Sequence, residues 1–299
     1  MRVFVTGATG YLGSAIAARL RRDHEVHGLT HSAERADSLA AAGIHPVLGD
    51  LANPGEWLAT VKNCDAVVHA AYDQADAARQ DQRALEMVHA AARDGRVRHL
   101  LYTSGVWVHG DTGSTIVDES APLHPAARVS WRPAHEEIAL DLGNDEVVAV
   151  VLRPGMVYGE TGGTFGGWFR SARQSGVVTI PGDGSQRWTM VHRDDVAEGY
   201  RLALEHAAMG QRFLLVDESR HTVRELAEAV ARVTGAQVRS GGAESARPGS
   251  AAEAMLMSQQ AIALKARRDL GWVARHGSFV AEIESLYAEW QAGQRAQVV

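Results

Sequence analysis

A single cysteine, Cys64, stands in 299 residues. It cannot form an intrachain disulfide, so a disulfide framework is excluded and a reducing, cytoplasmic setting is expected. Lysine is almost as scarce, occurring only at positions 62 and 265. The formal charge of −6 leaves no basic surplus, which argues against a nucleic acid or an anionic membrane as partner. The longest apolar run, Val147 to Leu152, falls far short of the roughly 20 residues that span a bilayer. The first residues already read as a strand, so no signal peptide is expected. Histidine is plentiful, but no His/Cys/acid spacing of a metal site appears, and no metal is expected. Neither repeats nor low-complexity segments interrupt the chain before residue 240.

What is present begins at the N-terminus. Met1 to Val5 is a short β-branched and aromatic run, read as a buried strand. It leads into Thr6-Gly7-Ala8-Thr9-Gly10-Tyr11-Leu12-Gly13, and then into alanine-rich Ser14 to Leu20, a good helix former. A glycine turn between strand and helix is the setting of a phosphate cradle. Gly7 permits the sharp turn, Gly10 lets a pyrophosphate approach the backbone, and Gly13 allows helix and strand to pack closely. The free N–H groups at the helix start then hold the anion.

Alternation continues downstream. Strands are expected at Glu25–Thr30, Ile44–Leu48, Asp65–His69, Arg98–Thr103, Val147–Leu152 and Phe213–Val216. Helices are expected at Ala33–Ala42, Ala77–Arg93, Pro133–Leu142, Thr222–Thr234, Ser258–Leu270 and Ser278–Gln291. Strands alternating with helices imply βαβ crossovers and a parallel sheet. Thr222 and Glu225 form a capping box, and Asp194 is a candidate N-cap. Ser240 to Ala252, rich in Gly, Ser and Ala, is expected to be a mobile loop over the site.

The end of the second strand speaks to the choice of nucleotide. A chain selecting NAD usually carries a carboxylate there for the ribose 2′-hydroxyl. Here the residues are Leu29-Thr30-His31-Ser32, with Arg35 a turn later. Thr30 and Ser32 tolerate a 2′-phosphate, and His31 and Arg35 attract it. NADP is therefore favoured, with NAD allowed.

The glycine spacing, Asp50-Leu51, Ala70-Ala71, the segment Leu152-Arg153-Pro154-Gly155-Met156-Val157-Tyr158-Gly159 and the stretch Asp194-Asp195-Val196-Ala197 together resemble the extended short-chain dehydrogenase/reductases. That branch includes sugar-nucleotide epimerases, dehydratases and dihydroflavonol-reductase-like enzymes, and the likeness covers essentially the whole chain. It implies an α/β fold: a Rossmann-type, doubly wound parallel sheet with a smaller C-terminal substrate lobe. The nucleotide domain would span 1–159, rejoined by about 189–217, and the lobe 160–188 with 218–299. Cofactor contacts would come from Gly7, Thr9, Gly10, Tyr11, Leu12, Gly13, Thr30, His31, Arg35, Asp50, Leu51, Ala70, Ala71, Arg132, Pro154, Gly155 and Val157. Arg187 sits where sugar-nucleotide epimerases often hold a phosphate.

The catalytic positions depart from the family. Its proton donor and ribose anchor form a Tyr-x-x-x-Lys pair, and neither lysine here has a tyrosine four residues before it. Two registers fit Arg128-Val129-Ser130-Trp131-Arg132-Pro133-Ala134-His135-Glu136. One puts Arg128 at the tyrosine and Arg132 at the lysine. The other uses Trp131 and His135. The first keeps a cation by the ribose and is preferred. Pro133 fits the first helical position. Counting back from Gly110 places Gly105 at the family's serine, with Ser104 beside it and His109 at a further tyrosine.

Acid–base chemistry would then fall to His109, His135, His192, Tyr72 or Tyr158. Histidine titrates in the useful range. The catalytic candidates are Ser104, Arg132, His135, His109 and Tyr72, with His135 leading as donor because it lies one turn from Arg132. Three functions stay open. One is an NADP-preferring reductase of a carbonyl, imine or activated alkene. Another is a non-redox lyase, isomerase or cyclase. The third is a nucleotide-sensing regulator. Trp107, Trp131, Trp168 and Trp188 could line the cleft, which suggests a small planar or apolar substrate. A homodimer is allowed.

Overall fold

The computed structural model describes residues 1–53, 55–144, 146–241 and 246–296. The expected mobile loop at 240–252 therefore lies partly outside the described residues. In chain order the elements begin β1 (Arg2–Thr6), α1 (Tyr11–Leu20), β2 (Glu25–Thr30), α2 (Ala33–Ala41), β3 (His45–Leu48), α3 (Gly55–Lys62), β4 (Ala66–His69), α4 (Ala77–Asp94) and β5 (His99–Thr103). They continue with β6 (Ile116–Val117), α5 (Arg132–Leu140), β7 (Val148–Pro154), β8 (Met156–Tyr158), α6 (Gly163–Ser175), β9 (Val177–Pro181), β10 (Met190–His192) and α7 (Arg193–His206). The chain closes with β11 (Arg212–Leu215), α8 (Val223–Thr234), β12 (Gln237–Gly241), α9 (Ala251–Ala254), β13 (Gln260–Ala261), α10 (Leu264–Leu270) and α11 (Ile283–Ala296).

Seven strands form one sheet in the order β3-β2-β1-β4-β5-β7-β11, and every pairing in it is parallel. The order reverses between β1 and β4, and ligands of open α/β sheets bind at such a switch point, beyond the strand ends. Period-two alternation covers both faces with apolar side chains. Val3, Val5, Val68, Leu101, Val150 and Leu152 pack toward α1, α7 and α10. Phe4, Val67, Leu100, Tyr102, Ala149 and Val151 pack on the opposite face toward α3, α4 and α5, where Phe4 stacks on Trp57 at 5.5 Å.

A second, aromatic core joins α6, α8 and α11. Trp168 stacks on Trp188 at 5.8 Å, and Phe165 packs tilted against Phe279 at 4.4 Å. Trp168 and Trp188 are therefore core residues, not cleft linings. The C-terminal region is shared between the two cores: Ala263, Ala266, Leu270 and Trp272 enter the first.

Three local expectations change. Helix α1 starts at Tyr11, because Gly10 in extended conformation is its N-cap. The helix expected from Ser258 is shortened to Leu264–Leu270, because Gln260 and Ala261 pair with Ile116 and Val117 as a strand. The buried Gln259 side chain also donates to the Gly110 and Val106 carbonyls, at 2.7 and 3.2 Å. The N-cap of α7 is His192, whose Nδ1 accepts from the Asp194 N–H at 3.1 Å. The Thr222–Glu225 capping box is present as read.

Candidate functional site

The turn after β1 is built by its glycines. Gly7 adopts φ +71, and a Cβ there would lie 2.8 Å from Ala70 O. A Cβ on Gly13 would lie 2.0 Å from Gly7 O, so any side chain would push the helix off the turn. Gly10 differs: a Cβ there would meet only Gly7 O, at 3.1 Å. Its face is open, it caps α1 without a side chain, and the first-turn N–H groups have no acceptor within the helix. These features suit a pyrophosphate. Arg193 braces the cradle from behind, donating to Tyr11 O and to Ser14 Oγ, both at 2.7 Å.

The cofactor residues expected from Gly7 through Ala71, together with Arg132, all line one groove of about 910 Å³ along the switch point. Pro154, Gly155 and Val157 line an adjoining cavity of about 380 Å³ instead. Tyr72, Gln74 and Arg132 border both spaces. Ser104 lines the smaller one. Its hydroxyl is buried and has no hydrogen-bond partner among the described residues. Arg132 begins α5 and donates to the Thr103 carbonyl at 2.6 Å. Its guanidinium lies 4.7 Å from the Trp131 ring and 5.7 Å from that of Tyr72. Trp107 and Arg128 also line the small cavity.

Three histidine expectations require correction. His135 lines neither space; it is buried with Nδ1 2.7 Å from Asp81 Oδ2. His109 is buried behind the site and accepts from Arg153 Nη1 at 3.3 Å. His192 is buried against His276, with ring centroids 3.5 Å apart. Tyr158 is fully buried, 3.4 Å from Asp217. Arg187 donates to the Arg220 carbonyl and borders neither space.

Asp81 is the residue that the sequence reading missed. Its carboxylate accepts from His135, from Tyr102 at 2.8 Å and from His69 at 3.1 Å. Burial pushes its pKa up, but the hydrogen bonds from His135 and His69 prevail and hold it below the usual carboxylate range. Thr6 extends the network. Its hydroxyl accepts the Ala70 and Ala71 N–H groups at 3.1 and 3.2 Å. With both lone pairs used, it must donate to His69 Nδ1, 2.7 Å away. His69 is thereby set as the Nε2–H tautomer, donating to Asp81. One network thus ties the strand crossing beside the nucleotide groove to α5. A signal was available: Asp81 interrupts the buried stripe of Ala84, Leu85 and Val88 on α4.

His109 supplies a pH prediction. Burial, aided by the Arg153 guanidinium, pushes its pKa down to about 4. The unfolded chain takes up this proton near the ordinary value of about 6.5. Its contribution to stability is therefore complete above about 6.5 and is lost as pH falls toward 4. The slope is about 1.4 kcal/mol per unit in that window. Urea unfolding between pH 7 and 4.5 should show it, and His109→Gln should flatten the profile.

Comparison with known proteins completes the assignment. Residues 3–215 match the model of the NAD dependent epimerase/dehydratase family. An uncharacterised protein of Schizosaccharomyces pombe is 30% identical over 298 residues, covering 95% of this chain and 99% of that one. A 4-hydroxy-2-methyl-3-oxo-4-farnesyl-3,4-dihydroquinoline-1-oxide ketoreductase of Stigmatella aurantiaca is 31% identical over 73% of this chain and 68% of its own. The dTDP-glucose 4,6-dehydratase DesIV of Streptomyces venezuelae, solved with NAD and TYD bound, superposes with a TM-score of 0.85 at 22% identity over 98% of each chain. No helix among the described residues is long and apolar enough to cross a membrane. Sheet order, glycine cradle and family match agree: this chain is an enzyme of the NAD-dependent epimerase/dehydratase family, an extended short-chain dehydrogenase/reductase.

Proposed function

We propose that the chain is an NADP-preferring reductase of a carbonyl group on a small apolar or planar substrate, with a site that dispenses with the family's Tyr-x-x-x-Lys pair. The observation that carries this reading is the unpartnered, buried Ser104 hydroxyl. Ser104 lines a cavity that shares Arg132 and Tyr72 with the nucleotide groove. A buried hydroxyl without a partner costs free energy, and a substrate oxygen would supply what it lacks. The ketoreductase from Stigmatella aurantiaca and the 2-alkyl-3-oxoalkanoate reductase of Stenotrophomonas maltophilia place carbonyl reduction among the activities of this chain's relatives.

The nicotinamide, when bound, supplies the hydride that reaches the carbonyl carbon. Ser104 donates to the carbonyl oxygen and orients it. Arg132, held by the Thr103 carbonyl, opposes the negative charge that develops on that oxygen and is positioned to hold the ribose hydroxyls. Tyr72 transfers the proton that completes the alcohol. It is 42% exposed, so solvent can restore its proton. Thr30, His31 and Arg35 line the groove and would meet a 2′-phosphate, with no carboxylate among positions 30 to 32.

Two measurements test this. NADPH should bind about tenfold or more tightly than NADH, as one charge-assisted contact implies; equal dissociation constants by calorimetry would remove the preference. NADPH consumption with a panel of aryl and alkyl ketones should show turnover. Ser104→Ala should lower kcat/KM by about 10²–10³-fold, the effect typical of a lost oxyanion donor, with NADPH affinity unchanged. Tight nucleotide binding with no turnover across the panel would overturn the reductase reading.

A further inference from the structure

The small cavity carries more than a hydrogen-bond donor. Arg128 and Arg132 both line it, and among the described residues no aspartate or glutamate does. Arg128 lies on the 3-10 turn Ala127–Val129, is half-buried, and makes no ion pair among the described residues. Arg132 contacts the Thr103 carbonyl, the Tyr102 hydroxyl at 3.5 Å and the faces of two aromatic rings, but no carboxylate. Asp81, behind it, is already occupied by His135, His69 and Tyr102.

Several other arginines that are buried or partly buried are paired, Arg153 with Glu136, Arg193 with Glu160, Arg19 and Arg201 with Glu198, whereas the half-buried Arg83 and Arg187 make no ion pair among the described residues. Nor does the cationic cavity reflect a basic protein, since the chain carries a formal charge of −6. Holding two half-buried cations side by side without anionic partners is less favourable than pairing them. A ligand carboxylate removes that cost, and the planar guanidinium fork matches it bidentately. Much of the remaining wall is apolar, from Val106, Trp107, Val129, Met156 and Val157, with Gln74 and Tyr72 as further polar side chains.

We propose that the substrate is an oxo acid. Its carbonyl oxygen is taken by Ser104, its carboxylate by Arg128, and its apolar or aromatic body lies against Trp107 and Met156. Arg128 is a specificity residue in this scheme, which rests on the reductase reading for the fate of the carbonyl but not for the recognition of the carboxylate.

The test compares acids with their neutral esters. Benzoylformate and benzoylacetate are assayed beside their methyl esters, with NADPH and the full chain. Each acid should exceed its ester in kcat/KM by about tenfold or more, the scale of one charge-assisted contact. Arg128→Met should collapse that ratio, chiefly through the KM of the acid, and Arg128→Lys should restore part of it. In parallel, phenylacetate, which carries no reducible carbonyl, and methyl phenylacetate are titrated by calorimetry into the NADP-loaded protein.

Reduction of acids and esters at equal efficiency overturns the oxo-acid proposal and leaves the reductase reading standing. Binding of phenylacetate but not its ester, lost in Arg128→Met, with neither acid nor ester reduced, supports the carboxylate site and overturns the reductase reading. Absence of both binding and reduction overturns both.

Discussion

Gly10→Val should abolish nucleotide binding while costing only about 1 kcal/mol of stability, whereas Gly13→Ala should cost about 3 kcal/mol and lose binding because the turn itself is displaced. Two glycines three residues apart thus separate by mechanism. At Gly10 the backbone is extended, as any residue allows, and an added Cβ approaches only Gly7 O, at 3.1 Å. The valine methyl groups would occupy the face that the pyrophosphate needs. At Gly13 even one methyl would sit 2.0 Å from Gly7 O, so helix and strand must part. Calorimetric titration with NADPH and urea denaturation of both variants check this. A Gly13→Ala protein as stable as the parent, or a Gly10→Val protein with unchanged affinity, would show that the cradle is not built this way.

The second large effect lies behind the site. Glu136→Ala should destabilise the protein by about 3–5 kcal/mol, the cost of stranding a buried charge. Arg153 and Glu136 are 1% and 0% exposed. The guanidinium spans the carboxylate with Nε to Oε1 at 3.0 Å and Nη2 to Oε2 at 2.5 Å. Removing Glu136 leaves Arg153 with His109 as its hydrogen-bond partner among the described residues and takes from Arg212 a carboxylate 3.6 Å away. The double variant Glu136→Leu/Arg153→Met should recover most of the loss, since a buried pair replaced together by apolar residues is often nearly neutral. Denaturant midpoints of the two single variants and the double variant measure the coupling. Additive single losses would show that the pair does not act as a unit. The burial of Glu136 makes it part of the frame that holds α5 against β7.

The nucleotide half of the molecule was legible because its signals are local. A β-branched run, a glycine turn and an alanine-rich stretch lie within twenty residues, and backbone sterics alone decide what such a segment can do. The alternation of Val3, Phe4 and Val5, repeated in β4, β5 and β7, specifies a sheet covered on both faces. The capping box at Thr222 and Glu225 closes within one helical turn. Scarce lysine and the missing tyrosine partner were legible too, since absence of a residue type needs no coordinates.

Side-chain direction was not legible, because it is set by partners distant in sequence. His135 stands one turn from Arg132, and from sequence alone both could face the cleft. Asp81, 54 residues earlier, draws the imidazole inward to satisfy a buried carboxylate. His192 caps α7 in place of Asp194 because β10 ends with its ring buried against His276. Trp168 and Trp188 find each other across α6 and the segment before β10, and apolar burial outweighs any role in the cleft. The sequence by itself therefore determined the class of fold, the glycine turn and the absence of a Tyr-x-x-x-Lys spacing, all consequences of local backbone preference and residue identity. Only the tertiary structure decided which polar groups are consumed by one another and which, like Ser104 and Arg128, are left without partners, because that depends on which side chains the packed helices and strands bring within hydrogen-bonding distance.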